Sequence, residues 1–243
     1  MTANRIMIRP IILRIANVCR YNLYNARMSL QFTVLGVCIG EGGLPKWPQD
    51  GPVMMTSDGL VGDQHRHPQH GGPDKAISVF AEHDYQALEA QGFKPKASDE
   101  WDVGAMGENL TLDMSYWDPL DVCIGDTLFN DNVVLQVSEP RRPCFNLAAH
   151  HPDLEQTMRD QMRAGFLLRV HKAGPIATGD TLTWVYGFGM SLRRCNQLYL
   201  KDIREGTPEQ RQAALALLLK EPSLSESFKT QARKKAAIQG YAS

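Results

Sequence analysis

Val133-Val134-Leu135-Gln136-Val137-Ser138-Glu139-Pro140-Arg141-Arg142-Pro143-Cys144 carries both the fold signal and the chemistry of this chain. The β-branched and apolar run from Val133 to Val137 reads as a strand, and two prolines then forbid its continuation as ladder or helix. The chain is therefore expected to leave the sheet here in a fixed loop that ends at Cys144. Two guanidiniums directly before a thiol favour the thiolate, the form that attacks electrophiles and binds soft metals. The competing reading is a buried, inert cysteine. Arg141 and Arg142 weigh against it, because paired arginines are poor neighbours for an apolar pocket.

Outward from this stretch the pattern is one of short strands and turns. Gln31 to Ile39 reads as a strand, with Pro52 to Thr56 as its expected hairpin partner across a glycine-rich turn. Ala76 to Ala81 is apolar and strand-like, Glu82 to Gln91 reads as a short helix, and the turn Gly104 to Leu110 feeds a strand through Leu112. Asp121 to Ile124, Thr127 to Phe129 and the Val133 run form a β-meander. Gly165 to His171 and Thr181 to Tyr186 complete the set. Short helices are expected between, and Glu155 with Arg159 is a favourable surface pair on one of them. Many short strands with few helices predict a mixed α/β, β-rich domain over residues 28–189, built as a closed or nearly closed β-barrel.

From Ser191 the period changes to helical. Leu192, Cys195, Leu198 and Tyr199 recur on one face, and Thr207, Pro208 and Gln210 make an N-terminal capping box. Ser223 with Glu226 reads as a second box. Residues 190–243 thus form a small three-helix domain, expected to pack on the barrel or on a partner.

The most polar loop runs from Gly62 to Lys75. His65, His67 and His70 bring zinc to mind, but no further Cys or His stands at ligand spacing nearby. An anion cradle fits better: Gly71 and Gly72 let backbone N–H groups approach a ligand, while Arg66, His70 and Lys75 neutralise phosphate charge. Glu108 and Asn109, in the later glycine-bracketed turn, either orient a ligand or cap the loop.

Composition bounds the function. The formal charge of −1 over 243 residues argues against a nucleic-acid polymer as main partner. The five cysteines are odd in number and lack any C-x-x-C pair, which points to a reducing compartment and leaves no iron–sulfur site. No apolar run reaches the ~20 residues that span a bilayer, so no membrane anchoring is expected. Residues 1–27 carry Arg5, Arg9, Arg14, Arg20 and Arg27 with no acid. They read either as an extension upstream of a native start at Met28, with the protein cytoplasmic, or as an organelle presequence.

Four motifs in order, His70-Gly71-Gly72-Pro73-Asp74-Lys75-Ala76, Gly107-Glu108-Asn109-Leu110, Ile124-Gly125-Asp126 and Pro140-Arg141-Arg142-Pro143-Cys144, resemble the MOSC domain of the YiiM type. The tail resembles the three-helix domain that follows it there. The resemblance implies a barrel that binds molybdenum cofactor (Mo-molybdopterin), with Cys144 as the thiolate ligand to molybdenum. It makes Arg66, His70, Gly71, Gly72, Asp74, Lys75, Glu108, Asn109, Arg141 and Arg142 candidates for contacting cofactor or substrate, with His70 or Glu108 delivering protons. The implied chemistry is reductive N–O cleavage of N-hydroxylated compounds, such as hydroxylaminopurines and amidoximes, by oxygen transfer to Mo(IV). Electrons would come from a separate flavin or iron–sulfur reductase. Two other readings stay open: a sulfur or cofactor carrier using the same cysteine, and a binding module whose helical tail recognises a partner. The sequence leaves the oligomeric state open.

Overall fold

The computed structural model describes residues 30–64, 71–95 and 101–238. Expectations for residues 1–27, for Arg66 and His70 and for the histidine-rich stretch fall outside the described residues.

In chain order the strands are β1 (Leu30–Ile39), β2 (Trp47–Pro48), β3 (Val53–Thr56), β4 (Gly59–Leu60), β5 (Ile77–Ala81), β6 (Leu110–Leu112), β7 (Thr127–Phe129), β8 (Val134–Pro140), β9 (Phe166–Lys172), β10 (Gly174–Ile176) and β11 (Thr181–Val185). The order β11-β7-β8-β9-β5-β6-β1 closes on itself because β1 also pairs with β11, from Leu30 opposite Trp184 to Thr33 opposite Thr181. Closure removes the sheet edge and gives a barrel of seven strands. Every pairing around it is antiparallel except β5 with β6. Val34, Val79, Leu110, Leu135, Val137 and Leu168 fill its interior with no exposed surface. β10, β3 and β4 form a small second sheet.

Several expected elements are corrected. β3 does not pair with β1, because the edges of β1 are already taken by β11 at residues 30–33, by β6 at 34–37 and by β2 at 38–39. β3 pairs instead with β4 and β10. β10 escaped sequence reading because Gly174-Pro175 looks like a turn. Asp121 to Ile124 is not a strand: Pro119–Asp121 is a 3-10 turn, and the Cys123 N–H is taken by the Asp126 carboxylate at 2.8 Å. β8 does not stop at Val137 but runs on to Pro140, with a register shift between Val137 and Glu139 absorbing the irregularity. Pro140 is tolerated there as the strand's last residue, after which the Arg141 N–H donates to Gly165 O at 3.0 Å.

The helices are α1 (Glu82–Ala90), α2 (Leu154–Asp160), α3 (Leu192–Asn196), α4 (Ile203–Glu205), α5 (Pro208–Lys220) and α6 (Glu226–Ile238), with a π-helical stretch Gln197–Asp202 joining α3 to α4. The Thr207 capping box of α5 is present, as is the Glu155–Arg159 pair on α2. The cap of α6 is Ser225, not Ser223: its Oγ accepts the Phe228 N–H at 3.0 Å. Tail residues Leu198, Leu218, Phe228 and Ala232 belong to the same buried cluster as the barrel interior, so tail and barrel share one continuous core. No helix among the described residues is long and apolar enough to cross a membrane.

Asp126 and Gly165 are two points on which this architecture turns. The buried Asp126 carboxylate accepts from Cys123 N, from Trp184 Nε1 at 3.1 Å and from Gly187 N at 2.6 Å, tying the β7 entry turn to β11 and the segment after it. Replacing it with alanine removes the acceptor for three donors, of which the Trp184 indole is buried, so Asp126→Ala is expected to lower unfolding stability by about 2–4 kcal/mol, read by urea denaturation. Gly165 has φ +81°, and an added Cβ would lie 2.0 Å from Val79 O on β5. Gly165→Ala is expected to cost more than the ~1–3 kcal/mol of left-handed backbone strain alone, because β9 must also retreat from β5. A thermal melt indistinguishable from wild type would contradict this.

Candidate active site

Where β8 ends, the chain passes through Arg141, Arg142 and Pro143 to Cys144, which is half-buried and starts the 3-10 turn Phe145–Ala149. This loop forms one wall of a cleft of about 370 Å³. The opposite wall comes from the turn after β1, at Gly42, Gly43, Leu44 and Lys46. Lys75, Ser78 and Asn109 line it from the barrel rim, and Tyr199 and Lys235 from the tail.

The cleft is electropositive by construction. Among the described residues six lining side chains are basic, Lys46, Lys75, Arg141, Arg142, Arg159 and Lys235, against one acidic, Glu139. Three of the six have carboxylate partners: Lys46 with Asp63 at 2.6 Å, Lys75 with Glu139 at 3.5 Å, and Arg159 with Glu155. The other three are held by neutral groups. Arg141 donates to Met106 O, Arg142 to Tyr199 Oη at 3.2 Å and to Gln231 Oε1, and Lys235 to Tyr199 O at 2.9 Å. Burial lowers the Lys46 pKa, with the Asp63 carboxylate opposing the shift. Lys235 is pushed down to about 8 by burial and then by Arg204, Arg159 and Arg142.

Asn109 shows how the barrel rim is made rigid. Its Nδ2 donates to Asp63 Oδ2 at 2.8 Å and to Cys38 O at 3.2 Å, while Oδ1 accepts from Ser78 N at 3.1 Å and Ser78 Oγ at 2.9 Å. Both ends of the amide are committed to protein, so Asn109 positions the Asp63–Lys46 pair rather than presenting its own amide to a ligand. Gly107, two residues earlier, is called for by its φ of +72°, a left-handed conformation that side chains rarely adopt.

The expected site residues thus divide. Lys75, Asn109, Arg141, Arg142 and Cys144 are brought together on the cleft. Glu108 is not among its lining residues: fully buried, its Oε1 accepts from Tyr85 Oη at 2.8 Å, Gly104 N at 2.8 Å and Thr111 Oγ1 at 2.6 Å. Tyr85 Oη accepts in turn from Met106 N at 3.1 Å, and burial followed by Glu108 pushes the phenol pKa well up, keeping it a donor. Through Oε1 Glu108 clamps the 104–111 turn, while its buried Oε2 has no hydrogen-bond partner among the described residues. Asp74 is bound by Arg169, its nearest cation, and Gly71 and Gly72 do not line the cleft. Arg66 and His70 lie outside the described residues.

Lys46, Asp63, Glu139, Tyr199 and Lys235 were not singled out from sequence. Lys46 sits in a turn without motif character, and Asp63, although in the polar Gly62 to Lys75 loop, was overshadowed there by the histidines and glycines. Glu139 was in plain view inside the central stretch, but the proline signal placed it in a loop rather than in a buried strand. Lys235 stands in a basic run near the end of α6, and only contacts with the π-helical stretch, Lys235 Nζ to Tyr199 O and the Phe228 ring against the Tyr199 ring, bring it to the cleft.

Comparison with known proteins fits this geometry. The MOSC domain family matches residues 66–183. A protein named Reductase from Gibberella moniliformis is 41% identical over 143 residues, 57% of this chain but only 24% of that protein, so the chain spans about a quarter of that relative's length. The uncharacterized protein YflK of Bacillus subtilis is 32% identical over 200 residues, covering 80% of this chain and 85% of that one. The crystal structure of YiiM from Geobacillus stearothermophilus matches with a TM-score of 0.68 at 26% identity, over 84% of this chain and 99% of that chain. With a relative matched over most of both lengths and the same barrel and helical tail, the chain belongs to the MOSC domain family.

Proposed function

We propose that this chain is a molybdenum-cofactor-dependent reductase that cleaves N–O bonds of N-hydroxylated compounds, such as hydroxylaminopurines and amidoximes, using electrons from a separate flavin or iron–sulfur reductase. The observation that carries the reading is the Cys144 thiol on the wall of a cleft that, among the described residues, has six basic side chains and one acidic one. A soft sulfur donor among hard cations suits a soft metal carried by a phosphorylated, anionic pterin. Gly43 adds room for close approach: a Cβ there would meet no atom within 4 Å. The reductase name of the Gibberella relative supports the oxidoreductase part of the proposal.

When bound, the cofactor supplies two-electron redox chemistry at molybdenum. The rest falls to the protein. Cys144 offers the metal its soft ligand. Arg141 and Arg142, whose hydrogen-bond partners are neutral, keep their charge available to an anion in the cleft. Lys75 is held toward Glu139 and Lys46 toward Asp63, so these cations stand in fixed positions before any ligand arrives. Glu108 holds the rim turn in shape and carries no proton to the substrate.

Two outcomes test this. The full chain, produced in a host that makes molybdenum cofactor, is expected to carry near-stoichiometric molybdenum and pterin. Cys144→Ser is expected to lose about tenfold or more of the metal, read by elemental analysis, and with it N–O reduction in the presence of an electron donor. Wild-type protein that stays free of both under conditions that load a control enzyme would end the reductase reading and turn attention to persulfide chemistry on Cys144. In loaded protein, Glu108→Gln is expected to lower the melting temperature while leaving the pH profile of turnover in place. A displaced pH profile would restore Glu108 as a proton donor.

A further inference from the structure

The end of the cleft built by the tail is chemically distinct from the barrel rim. Arg142 donates twice through Nη1, to Tyr199 Oη and to Gln231 Oε1, which leaves Nη2 and Nε without a hydrogen-bond partner among the described residues. Lys235 Nζ donates to Tyr199 O and lies 4.1 Å from the centre of the Tyr199 ring. The Arg142 guanidinium lies 5.6 Å from the same ring centre and 5.8 Å from that of Phe228. Tyr199 Oη accepts from Arg142, so its own proton is left to donate. The unspent capacity of the two cations and of the tyrosine proton is donor capacity, and neither cation has a carboxylate within ion-pair distance among the described residues.

We propose that Arg142, Lys235 and the Tyr199 hydroxyl form a seat for a phosphate monoester, contributed mainly by the helical tail. A tetrahedral dianion is acceptor-only and matches this set in both charge and number of contacts. A carboxylate would leave one of the two cations uncompensated. The depressed pKa of Lys235, caused by burial and by Arg204, Arg159 and Arg142 with Glu205 opposing, agrees with a site where cations outweigh the nearby acid. The inference rests on the reductase reading only for which molecule brings the phosphate: the pterin's own phosphate group, or a phosphorylated substrate.

The first test needs no cofactor. In cofactor-free, full-length protein, a lysine-directed acylating reagent near pH 8 is expected to label Lys235, with exposed Lys234 as internal reference in the same peptide region, read by mass spectrometry. Phenyl phosphate should protect Lys235 selectively and phenol should not. In parallel, binding of inorganic phosphate by equilibrium dialysis should weaken by roughly tenfold in Lys235→Met and in Arg142→Met, the loss expected for one charge-assisted contact. Absence of protection together with unchanged phosphate binding in both variants would overturn the proposal, whatever the fate of the molybdenum reading. Protein produced with cofactor then identifies the source. Loss of pterin and molybdenum in Lys235→Met assigns the seat to the cofactor. Full loading with a raised KM for a phosphorylated substrate, but not for its dephosphorylated form, assigns it to the substrate.

Discussion

The Glu139 carboxylate is the contact on which barrel, tail and cleft all depend. It sits within β8 at 1% exposure, where an ionised group lacking partners is heavily penalised. Its partners come from two other regions of the chain. Lys75 approaches Oε1 from the turn before β5, while Ser225 and Ser227 donate to Oε2 from the start of α6. The Ser225 N–H also donates to Ser138 O at 3.0 Å, so the tail backbone is stitched to β8 beside the same side chain. The tail is therefore no loose satellite, since its departure would strand a buried acid.

That coupling places two sets of cations around one thiol. On the barrel side, Lys46 and Lys75 are tied to carboxylates, and the Lys46–Asp63 pair is fixed by Asn109. On the tail side, Arg142 and Lys235 are tied to a tyrosine and a glutamine. The first arrangement lowers the local charge and sharpens geometry; the second leaves charge to be answered by a ligand. A cleft with both kinds of wall can hold a large anion in one orientation, because its two ends are not electrostatically equivalent.

Much of this was legible from sequence, and the failures have physical causes. The closed barrel followed from many short apolar runs separated by turns, and the capping box at Thr207 from its local chemistry. Cys144, Arg141, Arg142 and Lys75 were legible because charged or reactive residues crowd around prolines and glycines. Glu108 was legible for the same reason, but the three donors that hold its Oε1, from Tyr85, Gly104 and Thr111, were not. Glu139 and Lys235 were hidden for the opposite reason, since their importance comes from neighbours far away in the chain. Ser225 took the cap expected of Ser223 because docking against Glu139, a tertiary contact, selects between two serines that local pattern cannot rank.

The pairing of β1 with β11 has a consequence for how this protein is made. A ribosome delivers β1 early, yet its partner edge stays empty until the stretch around Trp184 has emerged, and only then can the ring close. Until that moment the nascent chain presents an open β-strand template, a surface on which other chains can pair. The α6 helix arrives later still and brings Ser225 to the acid of β8. Closure and the sealing of that acid thus both wait on distant later stretches, and a chain cut short before either one would be left with an open edge or an unpartnered buried acid, a substrate for chaperones and proteases.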